Sequence, residues 1–140
     1  MMIKEIVLEI EDRPGEFSRI ISHLYENDIN VSAFSVESKR TKAQLRLITS
    51  DPESTLSVLT GLNVQATPAE ALAVQVPDHP GGLNSVLKIL SSANLNIVHI
   101  YPCFNTAEAI LILTVDDPER AIKALKDNWV KIYDERLYKL

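Results

Sequence analysis

The sequence predicts an α+β fold of two consecutive βαββαβ units, each an antiparallel sheet with two helices on one face, packed as one body. Two observations predict it. The chain repeats itself: Asp12, Pro14, Gly15 and Asn30 return as Asp78, Pro80, Gly81 and Asn96 (78 − 12 = 66), and "DPE" at 51–53 returns at 117–119. A fixed offset without gaps points to a duplicated unit. Within each copy the apolar residues also change period, from two to about 3.6 and back, as strands alternating with amphipathic helices do.

In the first copy "IVLEIE" alternates and places Ile6, Leu8 and Ile10 on one strand face; Leu72, Val74 and Val76 match them in the second. Asp-x-Pro-Gly then stops the strand. Proline has a fixed φ and no N–H, so it suits a helix's first turn, and the preceding Asp can accept from early helical N–H groups. Phe17, Ile20, Ile21 and Leu24 follow the i, i+3, i+4, i+7 stripe of a helix with one buried face; Leu83, Val86, Leu87 and Leu90 are their partners at the same offset. "NVSAFSVE" and "AQLRLIT" read as two strands around the turn "ESKRTK". "DPESTLSVLTG" has Asp then Pro to start a second helix and Gly61 to end it. "LNVQAT" reads as the last strand. The boundaries are 1–68 and 69–140, joined near "ATPAEA" without a flexible linker. This order is the split βαβ, or ferredoxin-like, arrangement.

The chain has 140 residues, 46% hydrophobic and 24% charged, which suffices for a sizeable core. No apolar run approaches the roughly 20 residues that span a bilayer. The start lacks a signal peptide's apolar stretch, so a cytoplasmic location is expected. Cys103 is the one cysteine, which excludes an intrachain disulfide and suits a reducing compartment. The net charge of −5 opposes nucleic acid and anionic membranes as partners.

Asp-x-Pro-Gly after a strand, an apolar helix, and then "INV" or "LNI" opening the next strand resemble the ACT domain, a regulatory module. The resemblance covers essentially the whole chain as two consecutive units. It is closest to small free-standing ACT pairs with no enzyme attached. It implies a free amino acid bound at the seam between units, held by the loop main chain, the side chain at the loop's first position, and the Asn opening the second strand of a neighbouring unit. Those positions are Asp12 with Asn30, and Asp78 with Asn96. Several ACT sites have Asn where this chain has Asp12 and Asp78. Ile10 and Val76 stand where some serine-binding sites carry His, so serine is not implied.

The residues support such a site on their own terms. Early helical N–H groups have no intrahelical partner and, with the helix dipole, suit an α-carboxylate. Asp12 or Asp78 can accept from an α-ammonium, and Asn30 or Asn96 can donate and accept. The candidate ligand-binding residues are therefore Asp12, Arg13, Gly15, Glu16, Phe17, Asn30, Asp78, His79, Gly81, Gly82, Leu83 and Asn96. Glu16 adds negative charge where Gly82 adds room, which favours the second loop. The plainer reading is that each loop only starts a helix, and that Asn30 and Asn96 cap turns.

His79, His99 and Cys103 lack the close spacing of metal ligands, so neither a metal nor a cofactor is expected. No nucleophile–base pair is evident, so the chain is not expected to be an enzyme. Ile110 and Ile112 replace Gln44 and Arg46 in the third strand. Trp129 and Tyr133 can join them in an apolar sheet face that needs cover, from a homodimer contact or from the first unit. The leading function is a regulatory sensor of a free amino acid, with an enzyme of amino acid metabolism as the expected partner. The alternative is a non-catalytic interaction or oligomerisation module without ligand.

Overall fold

The computed structural model describes residues 2–104 and 106–139. Its elements are β1 (Ile3–Glu11), α1 (Glu16–Glu26), β2 (Val31–Lys39), β3 (Lys42–Thr49), α2 (Pro52–Gly61), β4 (Ala66–Gln75), α3 (Gly82–Ser92), β5 (Ile97–Pro102), β6 (Ile110–Val115), α4 (Pro118–Asp127) and β7 (Ile132–Tyr133), then a 3₁₀ turn (Glu135–Lys139). The chain divides into two compact units. One is formed by Lys4–Ala69, the other by Glu70–Tyr138 with the first residues through Ile3.

Each unit has the antiparallel sheet of a ferredoxin-like fold. The first runs in the order β2-β3-β1-β4, the second β5-β6-β4-β7. One element differs from the sequence reading. "LNVQ" forms a turn and an irregular step, and β4 starts only at Ala66 and runs on to Gln75. Residues 66–69 of β4 belong to the first unit and 70–75 to the second.

In the first unit, alternation on β1 puts Ile6, Leu8 and Ile10 against the helices, opposite Leu47, Leu45 and Ala43 of β3. Ile20 and Leu24 of α1 and Leu59 of α2 close over them, each 0% exposed. Burying side chains of this size stabilises by about 1.5–3 kcal/mol each. The second unit repeats the core with Leu72, Val74, Val76, Val86, Leu90, Leu113 and Leu125. Leu83 departs from the helical stripe and stays 49% exposed.

Short-range signals explain the helix ends. Asp51 and Asp117 cap α2 and α4 by accepting from the N–H groups of Ser54 and Arg120, at 3.1 and 3.3 Å, with proline next in each case. After each helix the chain passes through the left-handed region, at Asp28, Asn63, Asn94 and Trp129. Asp and Asn tolerate that conformation; a bulky residue there is unusual.

The open sheet faces differ between the copies. In the first unit Glu5, 0% exposed, accepts from the Arg46 guanidinium at 2.7 Å. At the same offset the second unit has Ala71 and Ile112. Ile110 and Ile112 are 2% and 0% exposed within the single chain, so they hold no open area for a second copy. Trp129 does not join Tyr133: it is itself the left-handed residue after α4 and is 95% exposed, whereas Tyr133 is buried.

Candidate functional site

The two Asp-x-Pro-Gly loops have one backbone. In each, the second residue's N–H reaches back two positions (Arg13 to Glu11 O, His79 to Pro77 O, both 3.0 Å). The residue after the glycine then closes a turn, Glu16 to Arg13 O at 3.3 Å and Gly82 to His79 O at 2.9 Å. Gly15 and Gly81 sit at φ 89° and 86°, where a side chain is strained, and a Cβ at either would meet nothing within 4 Å. Space therefore lies open beside the strained glycine in both loops.

Neither α1 nor α3 has a side-chain cap. The Asp at the loop's first position does not accept from helical N–H groups as the sequence suggested: the Asp12 carboxylate instead accepts from the Ser38 hydroxyl on β2. The Glu16 and Gly82 N–H groups are consumed by the turn. The next two donors, Phe17 and Ser18 in one loop and Leu83 and Asn84 in the other, have no acceptor among the described residues. Those four N–H groups, at the positive ends of two helix dipoles, suit a carboxylate.

The loops differ in charge and room. Glu16 is buried beside two arginines and accepts from Arg19 and from Arg13, all at 3.3 Å. The hydrogen bond from Arg19 is the main reason its carboxyl is held below the ordinary value. Its charge is thus answered inside the loop. At Gly82 the expected room is absent: a Cβ would lie 1.9 Å from the Pro77 carbonyl oxygen. The glycine there lets the chain fold back on itself. Asp78 makes no hydrogen bond or ion pair among the described residues. His79 turns its Nδ1 to the Pro80 carbonyl, at 2.9 Å.

Within a unit the loop and the asparagine do not meet. Asn30 exchanges hydrogen bonds with Ser50, and Asn96 with Asp116, at the strand ends remote from the loops. Asp12 lies at the other end of β2, beside Thr41 and Ser38. The strand separates the ends by roughly 26 Å at about 3.3 Å per residue. Asn30 and Asn96 are also not the left-handed residues of their turns; Asp28 and Asn94 are.

Phe17 and Leu83 follow the two loops in the first turns of α1 and α3. The Phe17 and Phe34 rings lie 5.5 Å apart. Their counterparts Leu83 and Ile100 are 49% and 39% exposed. Phe104, 41% exposed, holds the position that Ser38 has in the first copy. Sequence reasoning missed Ser38 because nothing local marks a partner 26 residues away, and missed Arg19 although its place three residues after Glu16 on a helix is a spacing that pairs opposite charges. Cys103 is partly buried, which pushes its thiol up to about 11 and keeps it protonated at neutral pH. Among the described residues no three His, Cys, Asp or Glu side chains gather as a metal site would need.

The model of the ACT domain pair family matches residues 1–140. The chain belongs to the ACT domain pair family. This agrees with the duplicated βαββαβ order and the paired loops. A solved protein from Bacteroides thetaiotaomicron is 26% identical, with 100% of this chain and 98% of that one covered, at a TM-score of 0.91. The regulatory subunit of aspartate kinase from Thermus thermophilus, solved ligand-free, is 19% identical over 88% of this ACT pair and 87% of its own chain, at a TM-score of 0.63. Its counterpart from Thermus flavus is 17% identical over 90% and 92%, at 0.57. The last two are likenesses of fold. No curated protein matches the sequence. Among the described residues no helix is long and apolar enough to cross a membrane.

Proposed function

We propose that this ACT pair is a regulatory, non-catalytic protein that binds a free amino acid at its Asp-x-Pro-Gly loops. One observation carries the reading. Two loops of the same backbone each present a pair of N–H groups without acceptor, beside a left-handed glycine with open space next to it. An α-carboxylate suits the N–H groups, and the loop aspartate suits an α-ammonium. Family membership and the fold shared with aspartate kinase regulatory subunits support a regulatory role for a small molecule. An asparagine that takes part comes from a different unit, of the same chain or of a second copy in a homodimer, since each unit keeps its own asparagine at the far strand end. The protein acted upon would be an enzyme of amino acid metabolism.

The second loop is the better site. Its Asp78 is unengaged, whereas Asp12 is held by Ser38. Leu83, in the first turn of the helix after this loop, is 49% exposed, which suits a ligand with an apolar side chain over a charged one. The test is a titration of the ¹⁵N-labelled protein with leucine, phenylalanine, aspartate and lysine. Saturable shifts of the Leu83 and Asn84 amides with the apolar ligands, lost in Asp78→Ala, are expected. Shifts confined to Phe17 and Ser18 would move the site to the first loop, and no shifts at either loop would leave an interaction module without ligand.

A further inference from the structure

We propose that the open sheet face of the first unit carries a second small-ligand site, a groove that takes a small organic cation with a primary ammonium group. The groove has a volume of about 210 Å³ and is lined by Val7, Leu8, Glu9, Gln44, Gln65 and Thr67, all from Lys4–Ala69. The register places Glu9 of β1 directly opposite Gln44 of β3, so their side chains share this face. Gln65 and Thr67 come from the approach to β4 and its start, and Val7 supplies apolar surface. The volume lies below the roughly 300 Å³ at which pockets for drug-sized ligands begin, which suits a compact ligand.

Charge selects the ligand. The side chains of Glu9, Gln44, Gln65 and Thr67 make no hydrogen bond or ion pair among the described residues. The two nearest cations on this face are engaged elsewhere. Arg46 donates to Glu5 at 2.7 Å, and Lys42 to Glu11 at 2.6 Å. The Glu9 carboxylate is thus the one unanswered charge of the groove, with two amide oxygens and a hydroxyl as further acceptors. An ammonium has three donors and no acceptor, which matches that set, and a short alkyl body matches Val7. An anion would meet Glu9 with no cation to hold it.

The second unit fills the same positions differently. At the offset of 66, Gln44 becomes Ile110, Thr67 becomes Tyr133 and Val7 becomes Ala73. All three are buried, and the Tyr133 hydroxyl donates to Glu108. The duplication therefore filled this place in one copy and kept it polar and open in the other. The site stands apart from the Asp-x-Pro-Gly loops, whose residues line no part of it.

The full chain, ¹⁵N-labelled, would be titrated with n-butylammonium chloride, and with sodium butyrate at equal ionic strength. Saturable shifts of the Gln44 and Gln65 side-chain amides are expected with butylammonium alone. Glu9→Gln should weaken that binding at least about tenfold, as loss of a charge-assisted contact does, and Gln44→Ile, the second unit's own residue, should abolish it. Asp12→Ala and Asp78→Ala should leave it unchanged. No saturable shift, equal binding of butyrate, or undiminished binding by folded Glu9→Gln would overturn the proposal.

Discussion

Gly81 and Gly82 stand side by side for different reasons. Gly81 is needed for its φ of 86° and has open space where a Cβ would go. Gly82 has ordinary φ, but the Pro77 carbonyl occupies its Cβ position at 1.9 Å. Gly81→Ala should cost about 1–2 kcal/mol, the strain of a left-handed alanine. Gly82→Ala should cost more, because a backbone carbonyl has to move. Urea midpoints of the two variants check the order, and a milder Gly82→Ala would mean the loop is softer than described. At Glu16 the hydrogen bond from Arg19, with help from Arg13, holds the carboxyl below its ordinary value of 4.5. A carboxyl depressed in the folded state stabilises it above the unfolded value, and that contribution fades as pH falls below it. Stability should therefore decline below about pH 4.5, and less so in Glu16→Gln, in melts followed against pH.

Helix starts show which elements a sequence can reveal. Asp117 accepts from the Arg120 N–H three residues on, with proline between, and this was readable as "DPE". Asp117→Ala should lose about 1 kcal/mol in denaturant titration and Asp117→Asn almost none. The strand after α2 was less readable. "LNVQAT" has strand-like residues, yet Asn63 takes a left-handed conformation there and β4 begins only at Ala66. Contacts across the chain left no local signal. Asp12 meets Ser38, and Asn30 meets Ser50, 26 and 20 residues away. The loop and asparagine motif was thus legible as residues, and its separation to opposite strand ends was not. The buried Glu5–Arg46 pair on β1 and β3 is another long-range arrangement. Arg46→Ile should cost about 3 kcal/mol, the loss of one partner of a buried ion pair. The double variant Glu5→Ala/Arg46→Ile, which installs the second unit's own pair, should recover most of that loss in a double-mutant cycle.

At the scale of the molecule, duplication made two units with one backbone plan and different surfaces. The first unit carries an ion pair, a polar groove and a loop whose charges are answered internally. The second has a packed apolar face and a loop whose aspartate is unengaged. Trp129, left-handed and 95% exposed at the end of α4, belongs to neither plan and has no explanation in the described contacts. The regulatory reading asks one thing of the whole protein, that a free amino acid bind the folded state in preference to the unfolded one. The most direct measurement is the melting temperature in the presence of each proteinogenic amino acid, repeated with Asp78→Ala. A ligand at a hundredfold excess over its Kd stabilises by about 2.7 kcal/mol. An upward shift with one or two apolar amino acids, lost in Asp78→Ala, is the predicted result. A melting temperature indifferent to every amino acid would contradict it.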